Sequence, residues 1–453
     1  MSTDSSEIRG ADQLLSALHE ALAAANSDFC DAFITVRKGE YIRFAGGRVH
    51  QPQAIEECQL MVRAVAGSGA ARVGTTQVES GGWAGKEAGR RARLISQLGS
   101  SPHPIAPVGN VGPRPYLWHE DAVAWGAAEK RELATSAIRA AEDAGATTNG
   151  MLSTVLVEMA AANSAGVNLY TDGTEASCSV LMRHGHGSGY RSDLARSAIP
   201  LRPSELIDGA LGDAERSREP HELAPGSYDV ILGPLAVGDI LTFFGALGFT
   251  GDDVAAERGP VVRRPGEAVA APAITVSDDA LRPVGLPIPF DMEGVAKKGI
   301  PLIERGHVGE AVFDLASAAA VGRDSTGHAH IAREHAPQPT PANLIMEPGG
   351  LTQEELVAGV EHGVFISRFH YTRLVDPETT SFTGVTRDAA FLIQSGRLGP
   401  AVTQSRFTEE IFALLSRVDG VGNQLISQPI MNVWNGCSSA PALRVRGFRL
   451  GFH

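Results

Sequence analysis

Histidine carries most of the chemistry this sequence could perform, and its 14 copies fall into a few short patterns. Three precede glutamate directly, in His19-Glu20, His119-Glu120 and His221-Glu222. A helical zinc peptidase needs a second histidine one turn further on, with the glutamate activating the bound water. Neither HExxH nor HExxxH occurs. Two His-x-His pairs remain, His184/His186 and His328/His330, with His335 near the second. On a strand such a pair places both rings on one face, where metal can bind. A zinc site usually needs three or four ligands. The bland reading, a surface or hydrogen-bonded pair, therefore outweighs the alternative, a metal cluster of His328, His330 and His335. The four cysteines, Cys30, Cys58, Cys178 and Cys437, are far apart and form no CxxC pair. Reduced thiols fit that spacing better than a disulfide framework. There is no GxxxxGK[ST] phosphate loop and no GxSxG elbow. Gly185-His186-Gly187-Ser188-Gly189 lacks the GxGxxG spacing and reads as a turn.

The charge balance narrows the partners. Lys and Arg number 39 against 52 Asp and Glu, a net of −13, and no dense basic stripe offsets it. Such a chain repels phosphate backbones, so nucleic acid is an unfavoured partner. The polar start, MSTDSSEIRGAD, has no basic and apolar signal pattern. No apolar run approaches the roughly 20 residues of a membrane span. A cytoplasmic protein with peptide or protein partners is the expectation.

These residues must be positioned by elements. The length of 453 residues predicts two domains, 1–220 and 227–453, divided at the polar stretch Ser217–Gly226. In the first, leucines at helical spacing predict a helix over 11–25. Short strands follow at Phe33–Lys38, Glu40–Phe44, Cys58–Ala66 and Ala71–Thr76, then a helix at Trp83–Leu98. After a Pro-rich link, Ser101–Pro115, comes a helix over Ala122–Ala144, closed by Gly145. Strands at Ser153–Met159, Val167–Thr171 and Ala176–Met182 precede a helix at Pro203–Ala214. Strands then helix, twice over, suggest α+β with a possible internal duplication.

The second domain reads as a strand, Tyr228–Leu232, a Gly233-Pro234 turn and a helix over Leu235–Leu247. Loops and short strands then cover 256–300. Thr352-Gln353-Glu354-Glu355 is a capping box for a helix running to about Glu361. Strands at Val364–Phe369, Ala389–Ile393 and Ala401–Thr403 and a helix at Thr408–Val418 complete a strand-rich, antiparallel, barrel-like domain. Phe243 and Phe244 could line a groove, although aromatics on a helix more often join the core.

Residues 274–328 resemble the signature of the TldD/PmbA (TldE) family, once called modulators of DNA gyrase. The matching pieces are Asp278-Asp279, Phe290-Asp291-Met292-Glu293-Gly294, Leu302-Ile303-Glu304-Arg305-Gly306 and Ser325-Thr326-Gly327. Asn163-Ser164-Ala165-Gly166 resembles the family's NSxG turn. Further on, Asn343-Leu344, Gly349-Gly350, Thr383-Gly384, Phe391-Leu392-Ile393 and Pro400-Ala401-Val402 keep the family's order. His328 stands where the family tends to have asparagine.

The resemblance carries implications of its own. TldD-type chains bear HExxxH on the helix after the first strand of the second domain, and the TldE/PmbA type lacks it. Here the positions of the first His, the Glu and the second His fall on Thr242, Phe243 and Leu247. A shift of one residue would bring in Phe244 and Gly248. None of the apolar side chains can ligate zinc or move a proton. Cys437 is the one candidate for the family's C-terminal cysteine ligand, and a small buried residue is its bland reading. The implied function is a non-catalytic TldE-like subunit of a zinc peptidase acting on unfolded peptides. It would hold no cofactor of its own, the zinc belonging to a TldD-type HExxxH partner, with a homodimer as the alternative assembly. Two other functions compete: an enzyme of different chemistry on the same scaffold, such as natural-product tailoring, and a binding module that adds an extended peptide to a sheet edge.

Overall fold

Long paired strands organise the N-terminal half. The computed structural model describes residues 8–98, 104–109, 111, 114–331, 337–430 and 436–451. β1 (Phe29–Ala45), β2 (Arg48–Ala66), β3 (Gly69–Thr75), β4 (Thr147–Asn163), β5 (Asn168–His184) and β6 (Gly187–Ala195) form one antiparallel sheet in the order β3-β2-β1-β4-β5-β6. The two runs expected at 33–38 and 40–44 are one strand, because the Tyr41 ring covers Gly39 and pairing continues through it.

Helices α1 (Ala11–Ala25) and α2 (Gly81–Ile95) flank the first three strands. A short α3 (Glu120–Ala124), then α4 (Ala127–Asp143) and α5 (Pro203–Arg216), accompany the next three. Helix, three strands and helix thus occur twice, and β1 and β4 meet at the centre, from Asp31 opposite Asn163 to Ala45 opposite Asn149. The expected single helix over 122–144 is broken at Trp125-Gly126: Trp125 leaves helical geometry and Gly126 starts α4 in extended geometry. The even-numbered side chains of β1, from Cys30 to Phe44, face these helices.

The C-terminal half is built on two further sheets. One has the order β16-β15-β14-β7-β21-β18, with β17 added to β15. Its strands are β7 (Gly226–Leu232), β14 (His362–Asp376), β15 (Ser381–Gln394), β16 (Arg397–Ala401), β17 (Arg406–Glu410), β18 (Val418–Val421) and β21 (Leu443–Leu450). The other has the order β10-β9-β8-β13-β20-β19. It comprises β8 (Val276–Asp278), β9 (Ile300–Glu304), β10 (His307–Val308), β13 (Asn343–Met346), β19 (Ile426–Pro429) and β20 (Cys437–Ala440). β11 (Ala329–Ile331) and β12 (Pro337–Pro339) form a separate hairpin.

Pairing is antiparallel except for β13 with β20 and β14 with β7. Both sheets contribute to one core, including Val230, Val276, Leu302 and Phe382, with α6 (Pro234–Leu241) buried among them. The wrap is barrel-like but open, for no strand pairing joins the two sheets among the described residues. Short helices α7 (Gly251–Ala255), α8 (Pro260–Arg263), α9 (Leu315–Ala320), α10 (Gln353–Ala358) and α11 (Ile411–Ser416) fill the connections. The capping box is present: Thr352 Oγ1 accepts from the Glu355 amide, and Glu355 accepts from the Thr352 amide at 2.9 Å. Three expected helices are shorter, α10 ending at Ala358 rather than near Glu361. Residues 406–410 pair with β15, so α11 starts only at Ile411. α6 ends at Leu241, and a 3-10 turn, Phe244–Ala246, follows.

The face of the first sheet opposite its helices packs on the C-terminal half. Phe33, Val155, Val157 and Met159 meet Phe290 and Leu315 there. Asn163 closes the NSxG turn by accepting from the Ala165 and Val167 amides, and donates to the Ala106 carbonyl at 3.1 Å. Polar clamps cross the seam: Arg196 donates to the Pro287 carbonyl at 2.7 Å, Asp193 accepts from the Ser427 amide at 3.1 Å, and Ser188 donates to Asp388 at 2.7 Å.

Candidate functional site

A cavity of about 1080 Å³ opens beside the turn that follows α6. Pro234 starts α6 at a position where its missing N–H costs nothing. Gly245 and Gly248, the latter at φ 88°, let the chain turn away after Leu241. Thr242 and Leu247 line the cavity there. The β11–β12 hairpin contributes His330 and Pro339, the turn between β14 and β15 contributes Pro377–Thr380, and α11 contributes Phe412. Apolar walls thus meet a charged rim, where Arg258 pairs with Asp253 at 3.2 Å and Arg263 with Glu378 at 3.3 Å. These pairs are exposed and contribute little stability.

Of the four positions matched to the protease motif, Thr242 and Leu247 line the cavity, and Phe243 and Cys437 do not. Thr242 spends its hydroxyl on the Asp239 carbonyl at 2.7 Å. Phe243 is half-buried with its ring 6.0 Å from that of Phe382, and Leu247 belongs to the core. Phe244, its neighbour, is fully buried and stacks on Phe249, so the core reading holds for that residue. Cys437 does not line the cavity; its thiol donates to Asn343 Oδ1 at 2.9 Å and accepts from the Leu286 amide at 3.0 Å. Burial pushes that thiol up to about 12, so it stays protonated. Gly285 approaches the sulfur so closely that a Cβ there would collide with it. Threonine, phenylalanine, leucine and a closed-off thiol do not fit a zinc ligand set. Among the described residues no group of three or more His, Cys, Asp or Glu could hold a metal.

The histidines divide. His335 lies outside the described residues. His184 ends β5 and His186 occupies the hairpin turn to β6, where Gly185 takes φ 60°. His328 is fully buried, with Nδ1 beside Thr326 at 2.9 Å and Nε2 3.2 Å from Asp278 Oδ1. His330 lines the cavity, and its Nε2 is buried without a hydrogen-bond partner. Burial and the nearby Lys297 ammonium lower both imidazoles, His330 strongly.

Behind them lies a buried ionic group that reading by spacing missed. Asp278 accepts from the Ala342 and Asn343 amides and sits 3.8 Å from Lys297. Burial opposes its ionisation, but Lys297 and His328 hold it well below the usual carboxylate range. Asp291 accepts from the Glu293, Val295 and Ala329 amides. Burial and the Asp291 carboxylate push Glu293 up. The Asp278 and Phe290–Gly294 pieces that resemble the family signature were the available signal: these carboxylates tie the loops that carry His328 and His330.

Comparison with known proteins gives a consistent picture. A family model described as the PmbA/TldA metallopeptidase C-terminal domain matches residues 225–451. A metalloprotease of Methanothermobacter thermautotrophicus is 26% identical over 200 residues, 44% of this chain and 43% of the relative. A metalloprotease TldD homolog of Buchnera aphidicola is 25% identical over 209 residues, 45% of this chain and 42% of the relative. The aligned stretch spans less than half the length of these curated relatives. TldE from Thermococcus kodakarensis superimposes with a TM-score of 0.84 at 18% identity, over 97% of this chain and 100% of that one. A Thermotoga maritima protein does so at 0.82 and 19% identity, over 96% and 99%. At these identities the likeness to solved structures is one of fold.

Proposed function

This chain belongs to the PmbA/TldD family, and from that premise we propose that it is a non-catalytic, TldE-like subunit that holds unfolded peptide for a zinc-bearing TldD-type partner. One observation carries the reading: the cavity after α6 is large enough for several peptide residues, yet the motif positions on its wall offer no ligand and no proton carrier. In this reading the zinc and the bond-breaking water belong to the partner's HExxxH. This chain contributes apolar wall and the charged rim. The assembly is a cytoplasmic pair of unlike chains, with a homodimer as the competing arrangement.

The test is cleavage of an unfolded peptide by the purified chain, alone and mixed with a TldD-type partner. Activity is expected only in the mixture, and it should vanish when the partner's HExxxH glutamate is changed to glutamine. Cleavage by this chain alone would overturn the reading. A second reading, chemistry on this chain's own residues, draws on His330, whose unpartnered Nε2 borders the cavity. His330→Ala leaving the mixture's activity unchanged would count against it.

A further inference from the structure

The arm formed by β14, β15 and β17 has one apolar face and one cationic face. Phe369, Phe382 and Phe407 point inward and are buried. Strand pairing fixes what points outward. His370 lies opposite Val385, and Val385 opposite Arg406; Arg373 lies opposite Thr383, and Thr383 opposite Thr408. Directly opposed residues share a face, so His370, Arg373 and Arg406 stand together. Arg387 joins them two residues along β15 from Val385. These side chains border a shallow pocket of about 400 Å³.

Three features set this face apart. Arg373, Arg387 and Arg406 have no carboxylate within ion-pair distance among the described residues, although the chain as a whole carries −13. Neighbouring Arg368 is not free, being paired with Asp388 and stacked 4.0 Å from the Tyr190 ring. Tyr371 sits at φ 57°, in a bulge where the register slips between His370 and Arg373. That conformation is unfavourable for a non-glycine residue, yet it leaves Tyr371 69% exposed, with the Arg373 guanidinium 4.9 Å from the ring centre. Bulges of this kind re-aim a side chain.

We propose that this face binds an acidic segment of an extended substrate peptide, an inference that rests on the peptide-holding reading above. Arginine forks match carboxylates in bidentate geometry, and an anionic occupant relieves the repulsion among three uncompensated guanidiniums. A nucleic acid is the weaker fit, because three arginines are a short track on a strongly acidic molecule. The same two strands join through Pro377–Thr380, which lines the large cavity, so a peptide held on the arm is led toward it.

The test measures fluorescence anisotropy of a Glu-rich peptide and its Gln-substituted counterpart on the full chain. The acidic peptide should bind about tenfold more tightly, and the preference should fade with added salt. It should disappear in the R373Q/R387Q/R406Q variant. Tyr371→Gly relieves the strained φ, so it should keep the melting temperature while weakening the acidic peptide severalfold. A preference that survives the triple change overturns the proposal, as does tighter binding of an oligothymidylate through the same arginines. Equal binding of both peptides, untouched by the variants, removes the acidic preference and leaves the peptide-holding reading standing. If neither peptide binds, both fall.

Discussion

Asp239 shows how a single side chain on α6 is set by partners far away in sequence. Its carboxylate accepts from Gln428 Nε2 at 3.1 Å, and burial pushes it up to about 7 despite that bond and the nearby Arg368. The unfolded value is about 3.9, so between about pH 4 and 7 the folded state holds the proton and the unfolded state does not. Stability contributed here is therefore full at low pH and is lost as pH rises through 7. Asp239→Asn keeps the acceptor for Gln428 and removes the charge. It should be near neutral at pH 4 and stabilise by on the order of 1 kcal/mol at pH 8, a reduced figure because the residue keeps some solvent contact. Urea titrations at the two pH values check this; equal effects at both would refute it. The side chains of Phe243 and Leu247 hold no donor atom for a metal, which follows from residue type alone. The isolation of Cys437 was not legible in the sequence, since Asn343 and Leu286 enclose it from distant segments. Asp239 went unread for the same reason: an aspartate on a short helix gives no local sign that β19 will cover it.

At the scale of elements, α1 and α2 approach until backbone meets backbone. Gly81, Gly85 and Gly89 of α2 recur every four residues and lie against the carbonyls of Ala17, Ala21 and Ala25 of α1, where any Cβ would overlap. Gly85→Val must push the helices apart and should destabilise by about 1–3 kcal/mol, the usual range for overpacking. Gly82, on the same helix, has nothing within 4 Å of a Cβ, and Gly82→Ala should stabilise by roughly 0.5–1 kcal/mol. Chemical denaturation of the pair checks both signs, and similar effects at the two glycines would rule out the close contact. Leucine periodicity was enough to find α1, and the capping box found α10. Neither pattern shows that Gly and Ala at matched four-residue spacing will pack against each other. The start of α11 was misplaced because Arg406–Glu410 are claimed by β15, a pairing between strands that no local period records.

For the whole molecule, the question is whether its two halves unfold as one. Strands followed by a helix, twice over, were legible from alternating periods even though the repeats cannot be aligned residue by residue; the count of three strands in each was not, because β1 reads as two runs and β6 went unread. The seam was not legible: long strands with both faces apolar announce a second covering layer, but not which segment supplies it. That segment is the loop around Phe290, fully buried against Phe33, Val155, Val157 and Met159 of the first sheet. Phe290→Ala should cost about 3–5 kcal/mol, and its reach can be read from tryptophan. Trp83, Trp118 and Trp125 all lie in the N-terminal half, so with Trp434→Phe fluorescence reports that half alone. If the seam couples the halves, Phe290→Ala lowers the unfolding midpoint seen by fluorescence as much as the midpoint seen by circular dichroism. If fluorescence stays put while dichroism gains an earlier transition, the C-terminal half unfolds by itself. The first outcome means that strain at the cavity wall reaches the first sheet, through Phe290 and the Arg196 clamp. The second would confine such strain to the two C-terminal sheets.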